Sequence, residues 1–137
     1  MPTFSNTSTK RLSQCDERLQ LLLYEVIKYY DCKIITGHRT EEVQNEKFEL
    51  GQSKVKWPNS KHNSLPSKAV DVAPYPIPKD WGKEWKDRVK FYELKAILFY
   101  EAARANIKLR FGGDWDMDTD YHDNIFEDLV HFEIVEE

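Results

Sequence analysis

Leu19, Leu22, Leu23, Val26, Ile27 and Tyr30 recur at helical spacing. Ser13 in front of them is a capping type, so the pattern predicts a helix over about 14–30 behind a loose arm at 1–12. CKIIT at 32–36 is a short β-branched run and predicts a strand, turned at Gly37. Thr40 can cap a second helix over 41–50 that Gly51 ends. The stretch 52–67 is polar and broken by Pro58 and Pro66, as expected of a loop. KAVDVA at 68–73 predicts a strand, and the prolines of 74–82 rule out regular structure there. A long helix is expected over about 84–105, with an apolar stripe of Trp85, Val89, Tyr92, Leu94, Ile97, Leu98 and Ala102. IKLRF at 107–111 and HFEIV at 131–135 predict two more strands, separated by an acidic loop at 112–123. This order predicts an α+β fold, with helices packed on a small, mostly antiparallel sheet.

The length of 137 residues suits a single domain over 1–137. Apolar residues at 40% and aromatics at 13% suffice for a real core. A net charge of −4 argues against a broad basic face for duplex DNA, so no nucleic-acid partner is expected. Cys15 and Cys32 form no CxxC pair, which argues against a thiolate metal site and for reduced thiols. The first residues lack the apolar core of a secretory signal, and no run approaches the ~20 apolar residues of a membrane span. The expectation is a chain made in the cytoplasm, with no stable membrane insertion. Nothing in the sequence calls for an oligomer, so a monomer is expected.

The chemistry sits in two strands. Side chains alternate along a strand, so Val70 and Val72 share one face while Ala69, Asp71 and Ala73 share the other. In the last strand Phe132 and Ile134 oppose His131 and Glu133. A carboxylate among well-packed residues is costly unless paired or bound to a metal. The small Ala69 and Ala73 leave room around Asp71, and His62 on the preceding loop can reach the same spot. Two imidazoles and a carboxylate suit a catalytic zinc, which keeps a fourth position open. Glu133 can orient a ligand from behind. Asp128, three residues before His131, can take a proton from a water on the metal. Taken singly, His62 also reads as a surface histidine, His131 as a satisfied core histidine and Asp71 as a strand-end carboxylate.

Four motifs then occur in order: Gly37-His38-Arg39-Thr40, Ser60-Lys61-His62, Ala69-Val70-Asp71 and His131-Phe132-Glu133. Together they resemble the zinc peptidases that include D-Ala-D-Ala carboxypeptidases, D-Ala-D-Ala dipeptidases and phage L-alanyl-D-glutamate endopeptidases. The resemblance runs from about Ile34 to Val135. It implies a hedgehog/DD-peptidase-like fold, zinc on His62, Asp71 and His131, and Asp128 as general base. It also implies that Arg39 binds a substrate carboxylate or the developing oxyanion, and that Ser60 contacts substrate at the rim. An Asp at the base position looks like the phage endolysins. That implies cleavage of the L-Ala–D-Glu bond of the peptidoglycan stem peptide, with a holin or similar device releasing the enzyme from the host cytoplasm to the wall. The alternatives are a D-Ala-D-Ala carboxypeptidase and a non-catalytic, metal-stabilised wall-binding module. A metal-dependent nuclease is disfavoured by the acidic balance and by the lack of a phosphate-binding glycine loop. Two features depart from the family pattern. His62 and Asp71 stand nine apart where H-x-x-G-x-A-x-D places them seven apart, and His38 replaces the usual aromatic of the arginine turn.

The acidic loop raises a separate expectation. Asp114, Asp116, Asp118, Asp120 and Asp123 crowd into ten residues, and like charges repel unless a cation neutralises them. Asp114, Asp116 and Asp118 match the start of a calcium loop, but Thr119 and Ile125 stand where an EF-hand needs Gly and Glu. A looser calcium site using Asp114 and Asp123 is the sharper reading, and a solvated acidic lid is the plainer one.

Overall fold

The two strands expected to carry chemistry lie side by side. The computed structural model describes residues 2–117 and 128–136. Strands β1 (Cys32–Thr36), β2 (Ala69–Pro74), β3 (Leu109–Phe111) and β4 (His131–Ile134) form one antiparallel sheet in the order β1-β2-β4-β3. Helices α1 (Asn6–Leu12), α2 (Glu17–Val26), α3 (Glu41–Glu49) and α4 (Trp85–Arg104) complete the expected α+β architecture.

One face of the sheet builds the core. Val70, Val72, Leu109, Phe111, Phe132 and Ile134 join Leu19, Leu22, Leu23 and Val26 of α2 and Leu94, Leu98 and Ala102 of α4. Phe111 and Phe132 stack with centroids 5.0 Å apart. Each such side chain contributes about 1.5–3 kcal/mol when buried, so the apolar face holds the register firmly. A slip of one residue would drive Asp71, His131 and Glu133 into the core.

Three expectations need correction. The loose arm at 1–12 is instead helical from Asn6, with Ser8 and Leu12 buried. Ser8 Oγ accepts from Ile34 N (3.1 Å) and Arg11 Nη1 donates to Ile34 O (3.1 Å), so α1 is tied to β1. Ser13 closes α1 rather than opening the next helix; the N-cap of α2 is Asp16, and the helix runs only to Val26. Along α4 the buried stripe is Phe91, Leu94, Leu98 and Ala102, while Trp85 and Val89 are exposed.

Asp16 also staples the chain in front of β2. Its carboxylate accepts from Arg18 Nε (2.9 Å) and from Lys68 Nζ (2.9 Å), while Asp16 N donates to Ser67 O (2.8 Å). The Arg18 hydrogen bond, helped by Lys68, holds its carboxyl well below the usual range. A depressed folded-state pKa means that the ionised form stabilises fully above the unfolded value of ~3.9 and loses its contribution as pH falls below it. Asp16→Asn should therefore cost about 1 kcal/mol near neutral pH, a deficit that shrinks below pH ~4. Urea denaturation of both proteins across pH 3–7 measures it.

Candidate metal centre

Asp71 and His131 are direct partners across the β2–β4 pair. His62 arrives from a 3₁₀ turn, Lys61–Asn63. Ser60, expected at the substrate rim, caps that turn: its Oγ accepts from His62 N (3.2 Å), and its own N donates to Asn63 Oδ1 (2.9 Å). Arg39 N donates to His62 O (2.8 Å), which ties the arginine turn to the histidine turn. The lengthened loop from His62 to Asp71 puts its surplus outside. Ser64, Leu65 and Pro66 are exposed, while Lys68 N closes the neck on Lys61 O (3.0 Å). Gly37 ends β1 against α1, where a Cβ would run into the Arg11 carbonyl.

Three donor atoms converge. His62 Nε2 lies 3.1 Å from Asp71 Oδ1 and 3.3 Å from His131 Nδ1, and His131 Nδ1 lies 3.4 Å from Asp71 Oδ1. A tetrahedral zinc with bonds of ~2.0–2.1 Å has donor–donor edges of about 3.3–3.4 Å, so the spacing fits. The far ring nitrogens are engaged too: His62 Nδ1 faces Gly37 O at 2.8 Å, and His131 Nε2 faces Glu133 Oε1 at 2.8 Å. Donation to those acceptors leaves lone pairs on the two converging nitrogens. Lone pairs and a carboxylate so close together repel unless a cation lies between them.

The electrostatics agree. Burial disfavours charge on Asp71, yet the two histidines outweigh it and hold the carboxyl well below the usual range. Burial likewise opposes a charged His131, but Asp71 and Glu133 push its pKa up to about 9. Glu133 is lowered to about 2 because its bonds to His131 and Arg110 overcome burial. The cluster attracts a cation, be it proton or metal. Asp128 behaves oppositely: burial first, and the Asp71 charge second, raise its carboxyl, which makes it a stronger base.

A cavity of about 420 Å³ opens above the cluster, and Arg39, Ser60, His62, Asp128, His131 and Glu133 all line it. Asp128 is held by backbone: Asp128 N donates to Gly112 O (2.8 Å) and His131 N to Asp128 O (3.1 Å). A Cβ at Gly112 would collide with the Asp128 carbonyl. Arg39 is more committed than the sequence suggests, with Nη2 3.4 Å from Asp71 Oδ2 and Nη1 3.0 Å from Gln44 Oε1. Gln44 is the buried residue of α3, and it also binds Asn63, Ser53 and Val55. The sequence carries no signal for Gln44, because a polar residue in a polar helix breaks no pattern. Arg110 is a second omission: Nη2 donates to Glu133 Oε2 (2.8 Å), and its guanidinium lies 5.7 Å from the Trp115 ring. Strand alternation from Phe111 and Leu109 could have placed it on the site face. Of the suggested calcium ligands, Asp114 is buried at the start of the loop, and Asp123 lies outside the described residues.

Comparison with known proteins decides the family. The family model described as phage L-alanyl-D-glutamate peptidase matches residues 2–135. The chain belongs to this family. An L-alanyl-D-glutamate peptidase of Escherichia phage T5 is 33% identical over 124 residues, covering 89% of this chain and 88% of that one. The L-Ala D-Glu endopeptidase ChiX of Serratia marcescens shares the fold of this phage-peptidase chain. Its TM-score is 0.69 at 20% identity, over 97% of this chain and 90% of that one.

The donor geometry makes a binding prediction. Titration of this phage-family peptidase with zinc should show one ion per chain and raise the melting temperature, and His62→Ala should abolish both effects. Glu133→Gln should weaken zinc binding by about 10–100-fold, measured by competition with a chelating dye.

Proposed function

We propose that this peptidase hydrolyses the L-Ala–D-Glu amide of peptidoglycan stem peptides, with zinc held by His62 Nε2, Asp71 Oδ1 and His131 Nδ1. The observation that supports it is the convergence of those three atoms beneath a cavity that Asp128 and Arg39 also line, in a chain of this family. When bound, zinc would supply Lewis acidity, lowering the pKa of water toward ~7 and polarising the scissile carbonyl.

The protein's own groups do the rest. Asp128, its carboxyl raised by burial, takes the proton of the attacking water and passes it to the leaving amine of D-Glu. Arg39 steadies Asp71 through Nη2 and adds fixed positive charge beside the carbonyl oxygen as it becomes anionic. Glu133 and Gly37 hold the two imidazoles in one tautomer and one orientation. The reading extends to lysis: the chain is made in the host cytoplasm and reaches the wall once a holin or similar device opens the membrane.

The test is digestion of purified peptidoglycan, with mass spectrometry of the newly freed amino groups. New amino groups on D-Glu are expected. Release of D-Ala alone would mean a carboxypeptidase, and zinc binding without product would mean a wall-binding module. Asp128→Asn should lower kcat by about 10²–10⁴-fold while zinc stoichiometry stays at one per chain. An Asp128→Asn protein that remains fully active would overturn the assigned base.

A further inference from the structure

The site face of the sheet carries a group that the mechanism does not use. Arg110 of β3 is the direct partner of Glu133 on β4, just as Asp71 of β2 is the partner of His131. In the strand order β1-β2-β4-β3, Arg39 follows β1 and Arg110 sits on β3, so a guanidinium flanks the histidine–aspartate cluster on each side.

The two arginines are not equivalent. The Arg39 side chain is 9% exposed and spends its Nη groups on Asp71 and Gln44, whereas that of Arg110 is 38% exposed. Arg110 gives only Nη2 to Glu133, whereas both Nη groups of Arg39 are engaged; the Nε of each is without a hydrogen-bond partner among the described residues. A guanidinium has five N–H donors, so one carboxylate leaves it with donors to spare. The Trp115 ring lies 5.2 Å from the His131 ring and 5.7 Å from the Arg110 guanidinium. The whole chain is acidic at −4, yet among the described residues the charged lining of the cavity is Arg39, Lys54, Lys61 and Arg110 against Asp128 and Glu133. That lining suits an anionic ligand.

We propose that Arg110 is a specificity-determining residue that binds the free α-carboxylate of the D-Glu residue on the leaving side of the scissile bond. The inference rests on the cleavage proposed above. A D-Glu that continues the stem through its side-chain carboxyl keeps its α-carboxylate two bonds from the scissile nitrogen. A substrate whose carbonyl lies over the cluster therefore carries this negative charge beside the cluster, within reach of a neighbouring strand ~4.8 Å away. Arg39 is on the β1 side and already committed, which leaves Arg110 on the β3 side to receive the charge.

The experiment pairs two substrates with three enzymes. The substrates are N-acetyl-L-Ala-γ-D-Glu-L-Lys and its counterpart in which the D-Glu α-carboxylate is an uncharged carboxamide. The enzymes are wild type, Arg110→Gln and Arg110→Lys, each checked for melting temperature and zinc content. Wild type should cleave the carboxylate form about 10–100-fold better in kcat/KM, the range for a charge-assisted hydrogen bond. Arg110→Gln should lose that preference by raising KM for the carboxylate form alone, and Arg110→Lys should recover part of it. Equal slowing of both substrates by Arg110→Gln would mean that Arg110 acts only through Glu133 and His131, and would overturn the proposal. So would a wild type indifferent to the carboxylate. Failure of wild type to cut either substrate at L-Ala–D-Glu would overturn the proposed activity and this inference with it.

Discussion

The pairing of Asp71 with His131 across β2 and β4 is the constraint on which the rest depends. Neither residue would be tolerated on the other face of the sheet. The opposite face holds Val70, Val72, Phe132 and Ile134, all essentially without exposure. The hydrophobic register therefore does two jobs at once. It stabilises the sheet, and it forces a carboxylate and an imidazole to within 3.4 Å of each other. Folding energy spread over many apolar contacts is thereby converted into accurate placement of two donors.

The third donor is placed differently. His62 comes from a loop, where no ladder fixes position, so a local network does the work. Ser60 and Asn63 close the turn, Gly37 O faces the ring, and Arg39 N donates to the His62 carbonyl. Each bond is worth only about 0.5–1.5 kcal/mol, but together they leave the imidazole one orientation. Buried polar groups held this way are specific only while every partner is present. Gln44 matters for that reason, since it joins Arg39 and Asn63 through one side-chain oxygen.

The sheet, Asp71 and His131 were legible because strands announce themselves by alternation, whereas His62, on a loop, was legible only through its motif. KAVDVA and HFEIV each show an apolar side and a chemical side, and the structure keeps both assignments. The N-terminus was less legible. NTSTKRL holds a single large apolar residue, Leu12, so no periodicity marks it as a helix; its stability comes from docking on β1 rather than from its own pattern. The stripe of α4 was shifted for a related reason. Trp85 and Val89 are apolar by type but face outward, and Phe91 takes the buried position, a choice made by the sheet and not by the helix. Gln44 escaped notice because an amide in a polar helix breaks no pattern, and Arg110, which alternation with Leu109 and Phe111 puts on the site face, because only its bond to Glu133 gives it a role there.

Asp128 shows what a motif alone leaves unsaid. Its spacing from His131 identifies it, yet its position depends on Gly112, far back in the sequence. Gly112 N donates to His131 O while Gly112 O accepts from Asp128 N, so one glycine ties β4 and Asp128 together. The Asp128 carbonyl occupies the space that any side chain at position 112 would need. The absence of a Cβ there is thus a condition for bringing the carboxylate to the cavity wall, and burial at that wall raises its basicity. Backbone packing and desolvation form one chain of cause that ends in a more basic carboxylate, and the glycine is its first link.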